Sequence, residues 1–147
     1  MNYSSPLKLR ARSAEDLTVI SAAMQDALVP LGDISHVPNE KTFMMVVNRF
    51  RWEQEGKQTE RIHAGLKFDA VRQVQFRGID RDNRSQFLSF LAVVFDKNDE
   101  SDEEDGFVVM HFAGGGAIRL YVGGLYCILA DLGMPWPTRW TPEHEPE

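Results

Sequence analysis

The residues whose type and spacing best suit recognition chemistry are four arginines on predicted strands, Arg49, Arg51, Arg72 and Arg77. Residues i and i+2 of a strand project from one face, so Arg49 and Arg51 are expected to be neighbours. A guanidinium group presents five donors in a plane, which fit a carboxylate, a phosphate or a stacked aromatic ring. One interpretation is a solvated outer sheet face balanced by nearby acids, Glu53, Glu55, Glu60 and Asp80. The other is a face that binds an anion or an acidic peptide, with three more arginines adjoining it, Arg81, Arg84 and Arg119.

Three other side chains could support acid–base catalysis if the fold brought them together: His63, Asp69 and His111. His63 is expected on the polar face of a strand, and His111 lies in the last predicted hairpin. The alternative at each position is an ordinary surface or core histidine. None of the four histidines has a neighbouring ligand at the spacing that identifies a metal site, so no metal site is predicted.

Two segments resemble ligand-binding motifs but lack residues that those motifs require. Gly114-Gly115-Gly116 is not followed by Lys-Ser/Thr and a helix, as a phosphate-binding loop must be, so a hairpin turn is predicted. The acidic loop 96–106 has Ser101 where a calcium-binding EF-hand needs glycine, and Phe107 where it needs glutamate. Cys127, the only cysteine, is expected to be a small buried hydrophobe. No cofactor is predicted.

Charge is distributed unevenly along the chain. Residues 7–84 carry 13 Lys or Arg against 11 Asp or Glu, whereas residues 85–147 carry 3 against 11. The formal net charge of −6 weakens attraction to nucleic acid and to anionic membranes. Partners are therefore expected to be another protein or a second copy of the chain, with no nucleic acid, and the sequence specifies no small-molecule ligand.

The length of 147 residues fits a single domain, 1–147, with an ordered core over about 7–136 and a loose C-terminal tail. No apolar run reaches the roughly 18 to 20 residues that span a bilayer. The first six residues lack the charged start and apolar centre of a secretory signal. The chain is thus not expected to be an integral membrane protein, and a cytoplasmic location is the default prediction.

An amphipathic helix is predicted over residues 14–29. Ser13 is a favoured N-cap residue with Asp16 three positions later, and Pro30 cannot continue a helix. Apolar residues follow at helical spacing, namely Leu17, Ile20, Met24, Ala27 and Leu28.

Most of the remaining chain has the alternation and composition of strands. Strands are predicted over 7–11, 34–37, 42–52, 62–68, 71–77 and 87–95, followed by a hairpin over 107–122. A turn is predicted at 55–58. Leu125, Ile128 and Leu132 recur at helical spacing before Gly133, which predicts a short second helix over 125–132. Continuation as a strand is the alternative there.

Several phrases of the sequence together resemble a family of bacterial proteins catalogued only as a domain of unknown function. They are 14–17 with 25–27, Asn48-Arg-Phe-Arg-Trp-Glu53, Arg77-Gly-Ile-Asp-Arg81, Ala113-Gly-Gly-Gly-Ala-Ile-Arg-Leu120 and Asp131-Leu-Gly133. The family implies no activity. The order of elements is also similar to that of pleckstrin-homology-like barrels, although a likeness of fold alone does not identify a function.

The expected fold is therefore α+β: a strongly bent antiparallel sheet or partly closed barrel, with the long helix near the N-terminus and the short one near the C-terminus. The expected function is a non-enzymatic binding module that recognises an acidic segment through the strand arginines. The alternatives are a small enzyme that uses His63, Asp69 and His111, and an oligomeric scaffold without a ligand.

Overall fold

The computed structural model describes residues 6–53 and 59–137. Within them lie one α-helix, α1 (Ala14–Ala23), and ten strands. The strands are β1 (Lys8–Ala11), β2 (Leu28–Pro30), β3 (Ile34–Val37), β4 (Thr42–Phe50), β5 (Glu60–Phe68), β6 (Val71–Arg77), β7 (Phe87–Lys97), β8 (Gly106–Phe112), β9 (Ala117–Val122) and β10 (Cys127–Pro137). The turn predicted at 55–58 lies outside the described residues, as does the predicted loose C-terminal tail after 136, except for Pro137, which ends β10.

The strands form one antiparallel sheet in the order β1-β10-β5-β4-β2-β7-β8-β9-β6, and β3 pairs with β4 beside β2. Buried residues of both halves belong to one core, including Leu66 and Leu129 from one half and Met110 and Leu120 from the other. The sheet therefore bends over its own core, as expected. Within the described residues it does not close, because β1 and β6 end the order without pairing to each other.

The helix begins where predicted and ends earlier. The Ser13 side chain accepts a hydrogen bond from the Asp16 backbone N–H at 3.1 Å, which caps the first turn. The helix ends at Ala23, and Leu28 pairs instead with Asn48 of β4 and Ser89 of β7. The predicted end at residue 29 is thus wrong, because sheet partners on both sides satisfy the backbone that a longer helix would have used.

The predicted second helix is also wrong, and the alternative strand is observed. Leu125, Cys127 and Leu129 are buried in alternation, and β10 pairs with β5 on one edge and β1 on the other. The edges of β5 and β1 provide partners for the backbone hydrogen bonds of β10 over most of its length. Without that helix, the likeness to pleckstrin-homology-like barrels is not confirmed.

The glycine turn between β8 and β9 has the predicted form. Gly114 and Gly115 have φ angles of 85° and 90°, and residues other than glycine rarely adopt this backbone conformation. The Phe112 N–H donates to the Gly116 carbonyl at 2.9 Å and closes the turn. The hairpin sets β9 between β8 and β6, which positions the groove described below.

Candidate anion-binding groove

Arg49 faces the core rather than solvent. Along β4 it continues the alternation of inward residues, which are Phe43, Met45 and Val47. Its side chain is completely buried. The arginine face expected at Arg49 and Arg51 is therefore an interior face at this end of the sheet, which corrects the expectation that these residues are exposed.

All five guanidinium donors of Arg49 have acceptors. Nε and Nη2 donate to the two carboxylate oxygens of Asp131, each at 2.8 Å. Nη1 and Nη2 donate to Glu53 at 3.0 and 2.7 Å, and Nη1 also donates to the Phe50 carbonyl at 2.9 Å. Asp131 is nearly as buried as Arg49, with 2% of its side chain exposed. Arg49 thus has no donor left for a ligand.

The network fixes the charge of its members. Burial opposes the charge on Arg49, but hydrogen bonds to Glu53 and Asp131 outweigh it, so the pKa of Arg49 is raised above its usual value. Burial likewise opposes ionisation of Glu53, and its hydrogen bond from Arg49 lowers its pKa overall. Arg49 is therefore a structural cation that joins β4 to β10 across β5.

Arg51 is also largely buried, with Nη1 paired to Glu60 Oε1 at 2.5 Å. Beside it, the guanidinium of Arg61 lies over the Phe50 ring at 3.9 Å from the centroid. Burial lowers the pKa of Arg61. Glu53 and Glu60 do balance Arg49 and Arg51, as the solvated interpretation proposed, but the two guanidinium groups are buried and only the acids reach the surface.

Arg72 lies on β6 and contacts the protein's own acidic loop. Its Nη2 is 3.8 Å from Glu103 Oε2, and its Nη1 donates to the Tyr121 hydroxyl at 3.3 Å. The Tyr121 hydroxyl donates in turn to Asp105 Oδ2 at 2.7 Å, and this hydrogen bond is the main cause that lowers the pKa of Asp105 to about 2. Arg72 and Tyr121 thus hold the loop against the sheet.

Arg77 is the member of the predicted set that lines a cavity. It lies on the outer face of β6 opposite Ala117 of β9, which is opposite His111 of β8. Two residues farther along β9, Arg119 lies between Gln75 of β6 and Val109 of β8. These residues and Arg81 line a cavity of about 640 Å³, here called the arginine groove.

Two of the groove arginines, Arg119 and Arg81, contact uncharged neighbours. Nε and Nη2 of Arg119 both donate to the Gln75 side-chain oxygen, and the guanidinium lies 4.6 Å from the centre of the Phe107 ring. Arg81 lies 4.3 Å from the centre of the Phe76 ring. Within the described parts of the chain, no carboxylate forms an ion pair with Arg77, Arg81 or Arg119. None of these three arginines therefore has an ion-pair partner among the described residues, although the lining of an adjoining cavity includes an acid, Asp82.

A second cavity, of about 570 Å³, adjoins the arginine groove and is called here the seam cavity. It shares Val74, Phe76 and Arg81 with the groove. Its other lining residues are Leu31, Ile34, His36, Phe43, Asp82 and Arg84. The Arg84 side chain donates to the Gly32 carbonyl at 3.3 Å, also an uncharged partner. Its lining therefore combines an apolar wall with two arginines and one carboxylate, that of Asp82.

The proposed catalytic set is not brought together. His63 is exposed on β5, where its ring lies 4.7 Å from that of Trp136, and Asp69 pairs with Lys67 at 3.5 Å. His111 is exposed on β8, in the other half of the bent sheet, so the shared core separates it from His63. Of the three, the arginine groove contains His111 alone.

Other chemistry is equally unsupported within the described residues. No group of three His, Cys, Asp or Glu side chains there could hold a metal ion. Cys127 is buried, and burial raises the pKa of its thiol, which disfavours the reactive thiolate. The one described helix is too short to cross a membrane.

Asp131 pairs with Arg49, and His36 lines the seam cavity, but no role was predicted for either residue from the sequence. Asp131, the partner of Arg49, lies in the segment predicted as a helix, so its inward orientation depended on recognising β10. His36 lines the seam cavity on β3, opposite a strand edge that is distant in sequence. No local pattern marks either residue; only the strand order would have indicated them.

Comparison with known proteins identifies a family whose function is unknown. No curated protein and no solved structure matches the chain. A family described as a protein of unknown function, DUF2948, matches residues 7–144, nearly the whole sequence. This match confirms the resemblance carried by the phrases that run from Ala14 to Gly133. The chain belongs to the DUF2948 family.

Proposed function

We propose that this protein is a non-enzymatic binding module that recognises an acidic protein segment through the arginine groove. One observation carries the proposal: Arg77, Arg81 and Arg119 line one cavity and have no acidic partner among the described residues. This occurs in a chain whose net charge is −6. Uncompensated arginines side by side repel one another, and a bound carboxylate would relieve that repulsion.

The neighbours of these arginines support binding of a ligand. Gln75 and the rings of Phe76 and Phe107 orient the guanidinium planes without neutralising their charge. A planar guanidinium held in this way can form paired hydrogen bonds to a carboxylate while losing less side-chain freedom on binding. The proposal keeps the predicted recognition of an acidic segment and moves its centre from Arg49 and Arg51 to Arg77.

A polypeptide ligand fits the charge of the protein better than nucleic acid does. The chain is acidic overall, and its acidic loop lies on the same half of the sheet as the groove. A long polyanion that extends beyond the groove would meet this acidic surface, whereas a short acidic segment would not. Single-stranded RNA is therefore the competing ligand that the experiment must exclude.

The test is the fluorescence anisotropy of labelled octaglutamate and of labelled oligouridine, titrated with the full chain. Arg77→Gln and Arg119→Gln should each weaken octaglutamate binding about tenfold, since each removes a charge-assisted hydrogen bond. The matched control is Arg10→Gln, which changes an exposed strand arginine of β1, outside the groove, and should have no effect. Binding should weaken as salt is added.

Three results would overturn the proposal. They are tight binding of oligouridine with none of octaglutamate, equal loss in the Arg10→Gln control, and octaglutamate binding that is insensitive to both groove variants.

A further inference from the structure

The arginine groove lies along a strand edge that has no partner within the described ranges. β6 pairs with β9 on one side and ends the strand order on the other. Its sequence, Val71-Arg-Gln-Val-Gln-Phe-Arg77, contains no proline and is long enough to pair with a further strand. Unpaired backbone groups on such an edge are a template for an added strand.

The edge of β6 faces a gap in the sheet. At one end the Val71 N–H donates to the Lys41 carbonyl at 2.8 Å, so β6 there touches the turn that links β3 to β4. Farther along, Val74 and Phe76 of β6 and Ile34 and His36 of β3 line the seam cavity. An opening therefore separates β6 from β3, and it lies beside the groove arginines.

The two cavities favour ligand side chains of different chemistry. The arginine groove presents Arg77, Arg119 and His111 on the outer face of the sheet. The seam cavity presents the half-buried apolar residues Ile34, Val74 and Phe76, beside the charged Arg81, Asp82 and Arg84. Successive side chains of a strand point to opposite faces, so a strand added to β6 would direct alternate side chains into the two cavities.

We propose that the acidic segment binds by adding a strand to the free edge of β6, and that its residues alternate between acidic and apolar. This inference rests on the proposed function, because the groove arginines must select the acidic side chains. Backbone hydrogen bonds to β6 would supply sequence-independent affinity, and the two cavities would supply the selection.

A second copy of this chain fits the edge less well than an acidic peptide does. Pairing β6 with β6 of another molecule would bring two sets of groove arginines together, and like charges on adjacent strands are destabilising. A foreign acidic strand instead provides the carboxylates that the groove lacks.

The test compares labelled octapeptides of one composition, four Glu and four Val, arranged either in strict alternation or as two blocks. The alternating peptide should bind the full chain at least about tenfold more tightly, because it alone satisfies both cavities. Two further alternating peptides carry N-methyl groups on every second residue, in opposite registers. Methylation in the register that faces β6 should abolish binding, and the other register should leave it nearly unchanged, because one edge of the added strand remains free.

Amide hydrogen exchange tests the same contact without altering either partner's sequence. The alternating peptide should slow exchange at edge-facing amides of β6, whereas amides of β1, the opposite edge of the sheet, should be unaffected. Strand addition is refuted if both methylated peptides bind like the parent, or if β6 gains no protection. If Arg77→Gln still weakens binding in that case, the proposed function stands. If neither these peptides nor octaglutamate binds, both the strand-addition proposal and the proposed function are refuted. A dimer that forms without peptide, and that dissociates when the edge of β6 is blocked, would assign the edge to a second copy.

Discussion

Arg49 and Arg77 are both strand arginines in a β-rich chain, but their surroundings are opposite. Arg49 is completely buried and gives all five donors to Asp131, Glu53 and a backbone carbonyl. Arg77 is exposed in a cavity, and no described carboxylate pairs with it. The first arginine therefore serves the fold, and the second is available to a ligand.

The difference shows that arginine spacing along a strand does not identify a binding face. In β4 the arginine face is continuous with the core face, and carboxylates from β10 and from just beyond β4 make burial tolerable. Arg77 lies on the outer face of the edge strand β6, where no described carboxylate forms an ion pair with it. The availability of a guanidinium group thus depends on whether the tertiary structure brings a carboxylate to it.

The largest expected effect is on the free energy of unfolding when Arg49, the buried arginine, is replaced. Arg49→Met should lower the free energy of unfolding by about 3 kcal/mol, because Asp131 would remain buried without its cation. For a chain of this length, that loss corresponds to a fall in Tm of about 10 °C. Thermal unfolding followed by circular dichroism measures it, with Arg10→Met as the matched exposed variant. An unchanged Tm would show that the buried network does not stabilise the fold.

A smaller effect concerns pH. The pKa of Glu53 is lowered in the folded protein, so its stabilising contribution is complete above its unfolded pKa, about 4.5, and is lost as pH falls below that value. Glu53→Gln should therefore be less stable than the wild type near pH 7, and this difference in the free energy of unfolding should narrow as the pH falls below about 4.5.

Urea unfolding at several pH values measures this gap. The matched control is Glu15→Gln, an exposed acid in the first turn of α1. A gap that is constant with pH, or equal in the control, would contradict the assignment of Glu53 to the Arg49 network.

The smallest expected effect on the free energy of unfolding comes from replacing Arg77 in the arginine groove. Arg77→Gln should change the free energy of unfolding by no more than about 0.5 kcal/mol, because an exposed side chain without an ion pair contributes little to stability. Chemical denaturation of the same preparation used for peptide binding measures it. A loss comparable to that of Arg49→Met would mean that Arg77 is structural too, and the comparison would fail.

Local signals in the sequence predicted some elements well. The Ser13 cap was expected and is observed, and Leu17 and Ile20 are buried on one face of the helix as the pattern predicted. The hairpin around Gly114 was likewise predicted, because its glycines are needed at positive φ. Such features depend on interactions between residues that are close in the sequence.

Features that depend on distant partners were not predicted. Residues 125–132 fit a helical pattern, yet β5 and β1 recruit them as a strand. Leu28 fits the same pattern and pairs with β4 and β7 instead. In both cases, edges of distant strands satisfy the backbone hydrogen bonds, and a short window of sequence contains no information about those edges.

The sequence by itself thus determined a mostly antiparallel fold, the start of its helix, its glycine turn and its membership of a family of unknown function. The tertiary structure alone decided which arginines are buried, which line a cavity, and where the bent sheet fails to close. The physical reason is that strand periodicity assigns a side chain to a face. Whether that face is core or surface, and whether a carboxylate lies opposite, depends on the order and bending of strands far apart in the chain.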